Sequence, residues 1–136
     1  MLLKDFETDS AVINDGKFVK VDGYDGLEIK TRGYTDAYLD ARTRRLKKAA
    51  EKYDGDIDLI PNGERRQING ELLRDYLVLD VKGVWHDKEK QNPVTADEFR
   101  ALLGDPSYDR LTSACWRAVG LVQVAATHQQ QDAEGN

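Results

Sequence analysis

Cysteine and histidine are scarce in this chain, and each scarcity excludes something. Cys115 is the single cysteine, so no internal disulfide can form. Packing must hold the fold, and a reducing compartment such as the cytosol is expected. Two histidines and one cysteine leave little for a metal centre. The one local cluster, His86-Asp87 with Glu89, fits no recognised ligand spacing and reads as a solvated loop. Neither GxxxxGK[ST] nor GxGxxG occurs, so no motif cradles a nucleotide phosphate. Apolar runs fall far short of the about 18 residues of a membrane span. The opening MLLKDFETDS turns acidic at Asp5 and lacks the apolar stretch of a secretory leader.

What is present fits one domain. The chain has 136 residues, enough to bury about two thirds of its unfolded surface without staples. A charged share of 33% against 40% apolar predicts a wet, charged exterior. The net charge of -5 disfavours a purely electrostatic grip on nucleic acid. The charges are unevenly placed. Acids dominate residues 1–28, whereas Arg42, Arg44, Arg45, Lys47 and Lys48 crowd residues 42–48 with no acid among them.

Periodicity sets the expected elements. Residues 1–16 read as a flexible acidic arm. Val19 and Val21, then Leu27 and Ile29, alternate with polar residues on either side of Asp22-Gly23 and Asp25-Gly26, which predicts a hairpin over 17–31. Its apolar face must cover something, because a lone hairpin is marginal in water. Thr35 or Asp36 caps a helix over 36–53, with Leu39, Leu46, Ala50 and Tyr53 at helical spacing. Ile68, Leu72, Tyr76 and Leu79 predict a second helix over 64–82, in which Gly70 costs about 1 kcal/mol relative to alanine. Thr95-Ala96-Asp97-Glu98 is a capping box opening a short helix over 96–103. Asp105 and Pro106 open the last helix, over 106–126. The expected fold is α+β and mainly α: an N-terminal β-hairpin packed on a bundle of about four helices. Residues 17–127 form the single domain and 128–136 a disordered polar tail.

No residue set points to catalysis, and neither a cofactor nor a metal is expected. Cys115 lies on an apolar helical stripe and reads as a small buried hydrophobe. The run RTRRLKK, with Arg44, Arg45, Lys47 and Lys48, keeps three readings: a solvated helix face, a contact for an acidic protein surface such as a neighbouring copy's N-terminal arm, or a nucleic-acid contact. Trp85 follows a helix stop beside a polar loop, a place where tryptophan is half exposed and suited to a binding hot spot. Trp116 is rotated by about 100° from Cys115 on the last helix. The two tryptophans are expected to border one apolar groove for a partner helix or a second copy; the alternative is that both close the core.

The order of these features resembles the tail assembly chaperones of long-tailed bacteriophages and gene-transfer particles. The resembling part spans about residues 9–125. It runs from DSAVINDGKFVKV through GLEIKTRGYTDAYLDARTRRLKK to LLRDYLVLDVKGVW, a polar loop reaching Asn92-Pro93-Val94, and TADEFRALLGDPSYDRLTSACWRAVG. Lys88-Glu89-Lys90-Gln91 stands where such proteins usually have a tighter glycine turn. The resemblance implies a non-enzymatic factor of the host cytoplasm that binds the tape measure protein and tail tube subunits and leaves before the particle matures. Two other classes stay open: a minor connector or tail protein retained in the particle, and a nucleic-acid-binding accessory protein using the basic helix.

Overall fold

The computed structural model describes residues 1–135, with side chains described through Thr127. The hairpin forms as expected: β1 (Lys17–Lys20) pairs antiparallel with β2 (Glu28–Thr31), with Val19 opposite Ile29. Its turn is fastened to the body by Tyr24, whose ring lies 5.8 Å from Arg110 and 5.6 Å from Arg117. The Arg117 guanidinium also donates to the Asp22 carbonyl.

After the hairpin, α2 (Asp36–Ala50) is capped by the Thr35 hydroxyl, which accepts from the Tyr38 N–H, and a 3-10 turn over Glu51–Tyr53 ends it. The next helix, α3 (Asn62–Leu72), does not continue to residue 82. It widens into a π turn over Leu73–Leu77 and passes directly into a strand, β3 (Val78–Lys82). That strand pairs antiparallel with β2, making a three-stranded sheet of order β1-β2-β3. The expected helix over 64–82 is therefore corrected in its second half. Helical spacing from Ile68 to Leu79 is real, but Val78 and Val81 are worth more on the sheet. There they join Ile29 under one apolar face, and a third strand gives the hairpin the partner it needs.

The π turn leaves carbonyls without helical partners, and arginines take them. Arg100 donates from Nε and Nη2 to the Arg74 carbonyl at 3.2 and 2.6 Å. Arg32 donates from Nη1 to the Tyr76 carbonyl at 2.9 Å and from Nε to the Asn14 carbonyl at 2.8 Å.

A short helix, α4 (Ala96–Ala101), opens with the capping box: the Thr95 hydroxyl accepts from the Glu98 N–H while the Glu98 carboxylate reaches back to Thr95. Asp105 caps a 3-10 turn at Pro106–Tyr108, and α5 runs over Asp109–Gly135, longer than the expected 106–126. The disordered tail expected over 128–136 falls on residues whose side chains, and Asn136 entirely, lie outside the described residues. α5 crosses the inner face of the sheet. Ala114, Cys115, Ala118, Val119 and Val122 are fully buried there with Ile29. Small side chains on this stripe let helix and sheet approach closely, which is how interiors reach their density.

The N-terminal arm also needs correction. α1 (Ser10–Asp15) forms within it, because the Asp9 carboxylate accepts from the Ala11 and Val12 N–H groups. Asp9 N–H donates to the Ala126 carbonyl at 3.3 Å, and Gly33 N–H donates to the Ile13 carbonyl at 3.0 Å, so residues 9–15 are fastened to α5 and to the end of β2.

Gly70 has a reason to be in α3. A Cβ there would lie 2.2 Å from the Gly104 Cα, so the helix and the turn after α4 touch backbone to backbone. Gly104 itself has φ +94. The helical penalty of Gly70 is the cost of that crossing.

Candidate functional site

The loop after β3 folds back as a small ribbon. His86 N–H donates to the Asn92 carbonyl, Val94 N–H donates to the Val84 carbonyl, and Trp85 faces Pro93 between these bonds. Asp87 organises the far end: its carboxylate accepts the Asn92 N–H at 2.8 Å and the Gln91 N–H, and these bonds hold the carboxyl below its usual range. The Lys88–Gln91 stretch is thereby ordered without the tighter glycine turn, with Lys90 taking φ +57.

This ribbon forms one wall of an apolar cleft of about 580 Å³. Val84 and Trp85 come from the ribbon, Phe99 and Leu102 from α4, and Tyr108 and Leu111 from the start of the last helical stretch. Phe99 is buried and makes the floor. Trp85 is 39% exposed and Tyr108 44%, so two large aromatic side chains face solvent across an apolar hollow. At the rim His86 Nε2 lies 2.6 Å from the Glu98 carboxylate. The His86 contact, then the Thr95 hydroxyl, hold the Glu98 carboxyl below its usual value. His86 thus pairs with Glu98 of the capping box and not with Glu89.

Trp116 is elsewhere, and the expected shared groove is not formed. Its ring packs 5.7 Å from the Tyr38 ring, and its exposed edge borders a separate hollow of about 250 Å³ with Asn62, Arg66 and Asn69. The reason is rotation: residue 116 is turned by about 140° from residue 111 along the helix. The aromatic that joins Trp85 is Tyr108. Its position near a helix start, three residues before Leu111, was the available signal.

The basic run divides in two. Arg45 is partly exposed but committed within its own chain: Nη2 pairs with Asp75 at 2.9 Å, and the guanidinium lies 5.3 Å from the Tyr76 ring. Arg74 and then Arg45 hold the Asp75 carboxyl below its usual range. Arg42, Arg44, Lys47 and Lys48 are exposed, and among the described residues none of them forms an ion pair. Beside Lys48 a groove of about 540 Å³ separates α2 from α3, with Ala49 and Ile68 on its apolar lining.

Cys115 offers no nucleophile to any of these surfaces, because burial pushes its thiol up to about 12. Among the described residues no three His, Cys, Asp or Glu side chains converge as a metal site, and no helix is long and apolar enough to cross a membrane. No protein-family model, curated protein or solved structure matches the chain.

Proposed function

We propose that this protein is a tail assembly chaperone that holds the tape measure protein, and tail tube subunits, in the host cytoplasm during tail morphogenesis, without catalysis. Two things support this reading. The ordered run of sequence features from residue 9 to 125 resembles that family. The observation that carries it is the solvent-facing cleft in which Trp85 and Tyr108 stand open above Phe99. An apolar hollow with exposed aromatic walls binds an apolar side chain of another protein, and tryptophan and tyrosine are the side chains from which hot spots are built. The rim pair His86–Glu98 supplies polar edges around that apolar centre.

Co-expression of the full chain with the tape measure protein of the same genome tests the reading. Capture of the tape measure protein by the parent chain, and its loss with Trp85→Ala, is the expected result. Capture unaffected by Trp85→Ala removes the cleft from the interface. Presence of the chain in purified mature particles converts the reading to a retained tail component.

A further inference from the structure

The two edges of the sheet end differently. Arg32 N–H donates to the Leu77 carbonyl, so Arg32 turns its backbone groups to β3, and by strand alternation so do Lys30 and Glu28. Ile29 and Thr31 therefore turn theirs to β1, where they meet Val19 and Lys17. On β3 this register points the Val81 N–H away from β2, and the Asp80 carboxylate accepts it at 2.8 Å. On β1 the outward groups are the N–H and C=O of Phe18 and Lys20, and among the described residues nothing bonds to them. Just past the strand, the Asp22 carbonyl is taken by Arg117 of α5. The β1 edge is thus the unpaired one, and an unpaired edge is a template for another strand.

The edge carries positive charge. Lys17 and Lys20 end the strand and Arg117 stands at its turn end; among the described residues none of the three forms an ion pair. On the outer face of the sheet, Lys82 and Lys30 lie 4.0 and 6.0 Å from the Phe18 ring. The acids of that face, Glu28 and Asp80, sit behind the edge on β2 and β3. A second copy of β1, pairing Phe18 with Val19, would set lysine against lysine, and like charges directly opposite destabilise a ladder. On the inner face Val19 is half-buried, and Leu121, one turn beyond Arg117 on the same flank of α5, is 44% exposed.

We propose that the free edge of β1 takes an acidic extended segment of a partner protein as a fourth strand of the sheet. The backbone of that segment bonds to Phe18 and Lys20. Its outward carboxylates lie beside Lys20 and the lysines around Phe18, and its inward apolar side chains extend the layer of Val19 toward Leu121. The surface is separate from the Trp85–Tyr108 cleft, and neither reading needs the other.

Amide hydrogen exchange, followed by NMR on the full chain, tests this with a blocked hexapeptide alternating glutamate and valine. In the free protein the Phe18 and Lys20 amides should exchange severalfold faster than those of Lys17 and Val19. The peptide should slow both severalfold. The same peptide with lysine in place of glutamate, or with every backbone nitrogen methylated, should not. Lys20→Glu should weaken the protection, and Trp85→Ala should leave it unchanged. Lys20 is exposed, so its variant is expected to fold; if it melts early, the two altered peptides decide on the parent chain. Any one of five results overturns the proposal: Phe18 and Lys20 amides already slow in the dilute free protein, protection that rises with protein concentration alone, no slowing at millimolar peptide, equal slowing by the lysine peptide, or protection lost with Trp85→Ala.

Discussion

α4 has one closed side and one open side. Just past its end, Gly104 meets Gly70 with no room for a methyl group. On its other flank, Phe99 and Leu102 face a cleft that leaves Trp85 and Tyr108 in solvent. The same short helix is thus a wedge in the core and a wall of a surface site. The difference teaches what a substitution reports. On the closed side it reads stability, because displaced atoms have nowhere to go. On the open side it reads binding at the exposed walls, Trp85 and Tyr108, because water fills the space left behind, whereas at the buried floor, Phe99, it still reads stability.

The largest expected contrast comes from the thiol of the closed interior. With Cys115 raised to about 12, its thiolate population at neutral pH falls roughly a thousandfold below that of an ordinary cysteine. Labelling by a thiol reagent should proceed only through unfolding, and rapid native labelling would show the α5–sheet contact to be open. Next is Gly70→Ala, which drives a methyl into the Gly104 backbone and should destabilise by about 3 kcal/mol, the upper end for overpacking; urea denaturation reads it. Trp116→Ala should cost about 2 kcal/mol, below the range for a fully buried aromatic because the ring is only half-buried. Trp85→Ala should change stability by less than about 1 kcal/mol yet weaken partner binding by about 2 kcal/mol. Equal melting losses for the two tryptophans would erase the distinction between the sides.

The hairpin was legible from alternation around Asp22-Gly23 and Asp25-Gly26. So were the Thr35 cap, the Thr95–Glu98 box and the Asp105-Pro106 start, since each is a local rule written in adjacent residues. β3 was not legible. Ile68, Leu72, Tyr76 and Leu79 satisfy helical spacing, and only the sheet, formed by residues about fifty positions earlier, makes Val78–Lys82 extended. α1 left a weaker trace, an Asp9 cap before Val12 and Ile13, inside a stretch whose acidity suggested an arm. In the candidate site, the exposure of Trp85 agrees with its place beside a polar loop, although the element that ends before it is a strand and not the expected helix. Its pairing with Tyr108 in place of Trp116 depends on where the strand delivers residue 85. The commitment of Arg45 to Asp75, thirty residues away, likewise belongs to tertiary structure and has no local sign.

The direct passage from α3 into β3 has a consequence for how this gene can vary. With a π turn and no connecting loop between Leu72 and Val78, helix and strand share a backbone with no slack. One residue added or lost between them slips the register of β3, in which an irregularity beside Thr31 is what already lets Val78 and Val81, three residues apart, both face inward. Length changes are therefore excluded from this stretch, whereas the exposed ribbon tip at Lys88–Gln91 absorbs them on the surface. Homologous chains should differ in length at the ribbon and keep a constant count from Gly70 to Gly83.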